Sequence, residues 1–160
     1  MRILTVLALA LTTACASAPW GVDRSNVSSN LGTPVDSALR LAVTHLENHG
    51  FQVMELGEGV VVTQPRPLPE YLRNGVQTGQ GRDATHWVMR VAVERIPFSH
   101  GSRVNVAGYL LPRTATLAGG NPVSQDAIPI TSISHPQAYR EVEEMSARIT
   151  NAARRHRAGR

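Results

Sequence analysis

The sequence predicts an α+β fold, in which an antiparallel sheet of four to five strands carries two helices on one face. Three observations support this prediction. Apolar residues recur every three or four positions in one segment near the start of the domain and in another near its end. Two pairs of alternating segments lie between them, each pair joined by a short turn. The order helix, hairpin, hairpin, helix places a single domain over residues 33–153.

The first helix is predicted from its capping residues and its apolar stripe. Thr33 and Asp36 form a capping-box pattern, and Pro34 suits the first helical position. Gly50 is the expected C-terminal stop. The residues that recur at helical spacing, and should face the core, are Val35, Ala38, Leu39, Ala42 and Leu46.

Two hairpins follow the first helix. The segments 51–56 ("FQVMEL") and 60–63 ("VVVT") are joined by a connection with two glycines, which favours a hairpin. A second pair begins near Trp87 and turns at 97–101 ("PFSHG"), with alternation that leaves one face apolar. Residues 64–84 and 112–126 are predicted to be long loops. The later segment "AIPITSI" contains Pro129, which restricts it to the edge of a sheet.

The last helix is predicted to begin near Ser134, which forms a second capping-box pattern with Gln137. Its apolar stripe consists of Ala138, Val142, Met145, Ile149 and Ala152. We expect Leu39 and Trp87 to be core residues of the packed domain.

The segment "ALRLAVTHLENHGFQVMELGEGVVVTQ" (38–64) resembles the opening of helix-grip domains in bacterial envelope lipoproteins. The shared pattern is an amphipathic helix, a glycine and an aromatic residue, an acidic glycine-rich turn, and a Val-x-Thr strand. Residues 85–109 are similar to the second hairpin of such domains, as in the C-component lipoprotein of the outer-membrane β-barrel assembly machinery. The resemblance implies a non-enzymatic accessory module that contacts other envelope proteins.

The first 14 residues are typical of a signal peptide. Arg2 precedes a short apolar run from Ile3 to Leu11, which is well below the roughly 20 residues that a membrane-spanning helix needs. Small residues follow, as a signal peptidase requires. One cut would fall after Ala14 and leave Cys15 as the first residue. The other would fall after Ala18, next to Pro19, whose fixed backbone makes it a poor neighbour for cleavage.

Cys15 is the only cysteine in the chain, so it cannot form an internal disulfide. The sequence "LTTAC" resembles the lipobox of bacterial lipoproteins, although Thr12 stands where a leucine is usual. We therefore favour lipidation of Cys15 over simple secretion. Acyl chains, such as palmitate, would hold the protein on a membrane, since each buried CH₂ contributes about 0.8 kcal/mol.

Residues 15–32 are predicted to comprise this cysteine and a flexible tether, because 16–32 are rich in Ser, Asn, Gly and Ala and show no periodicity. Ala16 and Ser17 follow the cysteine without an aspartate, which resembles the pattern of export to the outer membrane. The expected location is the cell envelope, with the domain facing the periplasm. The oligomeric state stays open.

The C-terminal residues 154–160 form a basic tail. All 16 basic residues of the chain are arginine, and the tail contains Arg154, Arg155, Arg157 and Arg160. Two interpretations remain open: contact with an anionic lipid or acidic envelope surface, or a solvated helix end whose arginines suit the helix dipole. We expect no nucleic-acid partner, because the protein is predicted to lie outside the cytoplasm.

Few residues of the sequence are candidates for a catalytic or metal site, and we expect no catalysis, metal or cofactor. His45 and His49 have the i, i+4 spacing of a metal pair, but no third ligand is evident, so a solvated or capping role is favoured. His86, His100 and His135 could each pair with a serine such as Ser99 or Ser102, yet no nucleophile-elbow pattern occurs. The favoured function is a lipid-anchored accessory protein acting through protein contacts. The alternative is a carrier of a small hydrophobic ligand or lipid in a groove between the sheet and the last helix.

Overall fold

A computed structural model describes residues 24–57, 59–73, 84–112 and 127–158. The α+β class and the antiparallel sheet are confirmed. The strands are β1 (Asn26–Leu31), β2 (Val53–Gly57), β3 (Val60–Thr63), β4 (Arg66–Pro67), β5 (Ala84–Arg95), β6 (Ser102–Pro112) and β7 (Ile128–Pro129). The helices are α1 (Val35–Asn48), α2 (Glu70–Arg73) and α3 (Pro136–Ala158).

The predicted count of four to five strands and two helices is wrong. The described residues contain a seven-stranded sheet and three helices. Five strands form the main path in the order β1-β6-β5-β3-β2, while β4 pairs with β5 and β7 pairs with β6. Both predicted hairpins are present as β2–β3 and β5–β6. The excess comes from β1 and from β4 and α2, which have two and four residues and are too short to show a periodic pattern. Strand β7 lies in the segment "AIPITSI", which is predicted to be an edge strand.

Strand β1 corrects the prediction of a tether over residues 15–32, because 26–31 pair with β6 from Asn26↔Ala107 to Leu31↔Ser102. The segment is polar because only alternate side chains turn inward and the strand lies at the edge of the main path. Val27 packs against the core, and Leu31 is buried. Cys15 and the signal segment lie outside the described residues.

Helix α1 ends as predicted, but it begins differently. Gly50 has φ +74°, its N–H donates to the carbonyl of Glu47, and the N–H of Phe51 donates to the carbonyl of Leu46. These two bonds are the Schellman motif. At the other end, Pro34 occupies the N-cap position and no side chain caps the helix. The hydroxyl of Thr33 is buried without a hydrogen-bond partner in the described chain, so the predicted capping box is wrong.

The segment 64–84, predicted to be a loop, contains β4 and α2, and Ala84 begins β5. The Tyr71 hydroxyl of α2 donates a hydrogen bond to the Glu141 carboxylate of α3. Burial, followed by this hydrogen bond and the charge of Glu141, raises the pKa of Tyr71 well above its usual range. Residues 74–83 and most of the second predicted loop, 113–126, lie outside the described residues.

Helices α1 and α3 pack side by side against one face of the sheet. Val91 of β5 lies opposite Val106 of β6, and both are fully buried in this interface. Gly108 allows α3 to approach β6, because a Cβ at this position would come within 3.0 Å of Val142. Trp87 is buried as predicted, whereas Leu39 is only partly buried at the border of the core.

Helix α3 continues through most of the predicted tail, since residues 154–158 are helical. Its buried residues are Ala138, Tyr139, Val142, Met145, Ser146, Ile149, Thr150 and Ala153. The predicted stripe is therefore largely right, with Ala153 rather than Ala152 at its end. The helix begins at Pro136, two residues after the predicted cap at Ser134.

Candidate functional site

A cleft lined by basic side chains lies between the C-terminal half of α1 and the C-terminal half of α3. Its volume is about 460 Å³. We call it the α1–α3 cleft, and its lining residues are His45, His49, Arg148, Asn151, Arg154 and Arg155. The lining contains three arginines and two histidines but no carboxylate. The arrangement favours an anion.

The end of α1 positions the two histidines. They are one turn apart, so both side chains lie on the same side of the helix, with ring centroids 6.5 Å apart. His49 Nδ1 lies 2.7 Å from the backbone carbonyl oxygen of His45, which is a helix-end capping contact. This geometry agrees with the predicted capping role. The part of the chain that the structure describes contains no group of three His, Cys, Asp or Glu residues that could hold a metal ion.

An arginine side chain, Arg66, approaches this helix end from the sheet side. Its Nη1 donates a hydrogen bond of 3.5 Å to the backbone carbonyl of His49. The same guanidinium lies 4.5 Å from the ring centroid of Phe51, in cation–π geometry. Phe51 in turn contacts Trp87 edge-on. Arg66 is therefore held by Phe51, the aromatic residue that follows α1, and by the carbonyl of His49.

Helix α3 supplies the opposite wall. Arg148, Asn151 and Arg155 follow one another at spacings of three and four residues, so they form a row on one face. Arg148 lies 3.7 Å from Glu144, in an exposed i, i+4 ion pair that the spacing predicts. Arg154 and Arg155 form no ion pair within the described residues.

The positive charges of the cleft affect His45 directly. Partial burial is the main cause of its lowered pKa, and the charges of His49, Arg155 and Arg148 lower it further. His45 is therefore held neutral to a lower pH than an ordinary histidine. A bound anion would raise the pKa of His45, because it would favour the protonated ring.

The candidate contact residues of the C-terminus divide into three groups. Arg154 and Arg155 lie in the α1–α3 cleft. Arg157 lies elsewhere, with its guanidinium so near Gly32 that a Cβ there would come within 2.6 Å of Nη1. Arg160 lies outside the described residues. Sequence reasoning found the first two arginines but missed Arg148 and Asn151, although their spacing along α3 could have revealed the row.

Ser99, Ser102, His86 and His100 form no serine–histidine pair in the described residues. Ser99 Oγ donates to the carbonyl of Ile96 and accepts from the N–H of Gly101. The hydroxyl of Ser102 is buried in β6. His86 Nδ1 lies 2.9 Å from Thr85 Oγ1. Neither His86 nor His100 is hydrogen-bonded to a serine in the described parts of the chain.

The β5–β6 turn carries the most exposed aromatic side chain of the described residues. Phe98 is fully exposed and has a left-handed backbone, with φ +59°. The turn is held by bonds from the Ser99 N–H to the Ile96 carbonyl and from the Ile96 N–H to the Gly101 carbonyl. A fully exposed phenylalanine on a hydrogen-bonded turn of the two longest strands is a second candidate for contact.

Comparisons with known proteins leave the family open. No protein-family model matches the chain, and no curated protein matches it. Among solved structures, it is similar to an uncharacterized protein from Bacillus thuringiensis, with a TM-score of 0.40 and 10% identity over 82% of this chain and 98% of that one. None of the helices in the described residues is both long enough and apolar enough to cross a bilayer.

Proposed function

We propose that this protein is an accessory lipoprotein of the bacterial cell envelope, anchored through Cys15, that acts by contacting other envelope proteins and not by catalysis. The observation that carries the proposal is the exposed Phe98 at the β5–β6 turn. Aromatic side chains are frequent anchors of protein interfaces. Covering Phe98 with a partner's surface would be favourable, because its apolar area would be removed from water.

The alternative, a carrier of a small hydrophobic ligand, receives less support from the packing. A carrier requires an open apolar groove between α3 and the sheet. Val142 and Ile149 of α3 and Val106 of β6 are all fully buried there, so this interface is closed at these positions. The α1–α3 cleft is lined by polar and charged residues instead.

The anchor is tested at Cys15. Mass spectrometry of the mature protein should show an N-terminal Cys15 that carries acyl chains. Cys15→Ser should leave the precursor uncut or release the protein into the soluble fraction. An unmodified mature N-terminus at Pro19 would contradict the lipoprotein assignment and favour simple secretion.

The contact is tested at Phe98 in intact cells. A photo-reactive amino acid placed at position 98 should give a discrete cross-linked protein. The same amino acid at Ile133, an exposed apolar residue just before α3, is the matched control. With Phe98→Ser, the partner should no longer co-purify with the protein under mild conditions. The unfolding midpoint of the variant should not be lowered. Equal cross-linking at both positions would contradict a specific contact.

A further inference from the structure

We propose that the α1–α3 cleft is a binding site for the phosphate group of a phosphorylated ligand. This inference goes beyond the protein contacts proposed above and does not depend on them, since Phe98 does not line this cleft. It rests on the charges of the cleft, the absence of ion-pair partners for most of them in the described residues, and the number of hydrogen-bond donors.

The charges of the cleft are largely uncompensated. Of its three arginines, only Arg148 has a carboxylate partner in the described structure, and that pair is exposed and 3.7 Å long. An exposed pair of this kind contributes little and leaves the arginine free to turn to another anion. Arg154 and Arg155 have no ion-pair partner within the described residues. Like charges that line the same cleft repel one another, and a bound anion would relieve that repulsion.

The donors of the cleft suit a phosphate better than a single carboxylate. A guanidinium presents N–H groups in a planar fork that matches phosphate and carboxylate oxygens. Three guanidinium groups and the Asn151 amide offer more donors than one carboxylate can accept. A phosphate monoester has three terminal oxygens and a charge near −2, so it satisfies more of them. The volume of about 460 Å³ leaves room for an organic group attached to the phosphate.

The histidines make the site sensitive to pH. His49 Nδ1 bonds to the carbonyl of His45, so the neutral ring carries its proton on Nδ1 and its Nε2 can donate only after protonation. The groups that face His45 are His49 on α1 and Arg148 and Arg155 on α3. Arg66 reaches the same helix end from β4, and Glu144 partly balances Arg148. An anion should therefore be bound together with protons, and more tightly in mild acid.

The same chemistry could come from two sources: the headgroup of a phosphorylated lipid, or a free phosphorylated compound. The experiment begins with the full chain carrying Cys15→Ser, so that no acyl chain contributes to vesicle binding. Inorganic pyrophosphate is titrated at low salt by calorimetry, because exposed charges are screened at high ionic strength. The double variant Arg148→Gln/Arg155→Gln should weaken binding by about tenfold or more.

The matched control removes the same number of charges, two arginines, from positions outside the cleft. Arg40→Gln/Arg140→Gln substitutes one exposed arginine on α1 and one on α3, both outside the cleft. This variant should bind pyrophosphate within about twofold of the parent, because neither arginine lines the cleft and neither can donate to the bound anion. An equal loss in both double variants, or no saturable binding by the parent, would overturn the proposal. Circular dichroism with thermal unfolding checks that both variants fold.

Sulfate tests the role of the histidines, because its charge stays constant between pH 8 and pH 5.5. Sulfate affinity of the parent should rise several-fold over this decrease in pH. His45→Gln/His49→Gln should flatten the dependence while retaining arginine-based binding. If the variant keeps the full dependence, the histidines are not part of the site.

Vesicles separate the two sources. A lipid headgroup would be assigned if the protein binds phosphatidic acid vesicles but not phosphatidylcholine vesicles. The cleft variant should then lose this binding, and pyrophosphate should compete with it. Pyrophosphate binding without vesicle binding would assign a free phosphorylated compound. Vesicle binding that the cleft variant retains would overturn the lipid assignment.

Discussion

The inner and outer sides of the contact between α1 and α3 differ completely, although their residues alternate along the same two helices. On the inner side, Leu46 and Ile149 are fully buried. Their immediate neighbours in sequence, His45 and Arg148, line the polar cleft on the outer side. Because successive helical residues point about 100° apart, a single position separates a residue of the core from a residue of the cleft. Stability and binding should therefore be separable by mutation.

The largest expected effect is on the inner side. Leu46→Ala should lower the free energy of unfolding by about 2–5 kcal/mol, because it removes a fully buried side chain and leaves a cavity. Urea unfolding measures this change. Asn48→Ala, an exposed substitution near the end of the same helix, is the control and should change stability little. A similar loss for both variants would show that the helix itself, and not its packing, was affected.

Leu39 should give a smaller loss, because it is only partly buried at the border of the core. We expect Leu39→Ala to cost roughly 1–2 kcal/mol in proportion to the apolar surface that stays covered. Comparison of the two leucine variants in the same urea series tests the orientation of α1. A larger loss at Leu39 than at Leu46 would mean that the helix presents a different face to the sheet.

On the outer side, His45 should affect the pH dependence of stability. Its pKa is lowered in the folded protein, chiefly by burial, so the unfolded chain binds a proton first as the pH falls. Stability should therefore decrease as the pH drops through about 6.5, the ordinary histidine value. Urea unfolding of His45→Gln between pH 7.5 and pH 5.5 should show a shallower decrease than the parent. An unchanged slope would assign the dependence to other groups.

Substitution of Glu144 should give the smallest change in stability. It should separate the effect on stability from the effect on anion binding most clearly. The pair of Glu144 with Arg148 is exposed, so Glu144→Gln should change the free energy of unfolding by no more than about 0.5 kcal/mol. The same substitution removes the carboxylate that pairs with Arg148 of the cleft and should strengthen sulfate binding. Glu143→Gln, an exposed neighbour without an ion pair in the described structure, is the matched control. A weaker affinity in Glu144→Gln would show that Glu144 positions Arg148 for the anion.

The sequence alone predicted the α+β class, both hairpins, the two long helices and the burial of Trp87, because each depends on a local periodic pattern or a glycine signal. Gly50 is the clearest case, since its position after the last helical turn allows the left-handed conformation that ends α1. The spacing of His45 and His49 likewise placed them on one side of α1.

Only the tertiary structure showed that residues 26–31 form a strand, because β6 supplies the backbone partners for a segment whose own pattern is polar. The structure also shows that Pro34, and not Thr33, occupies the N-cap position of α1. The Thr33 hydroxyl is buried and does not cap the helix. The cleft itself depends on two helices separated by about a hundred residues, and no local pattern records which of their faces will meet. The packing of α1 beside α3 on the sheet decided that His45 would lie near Arg148 and Arg155, where their charges act on one another.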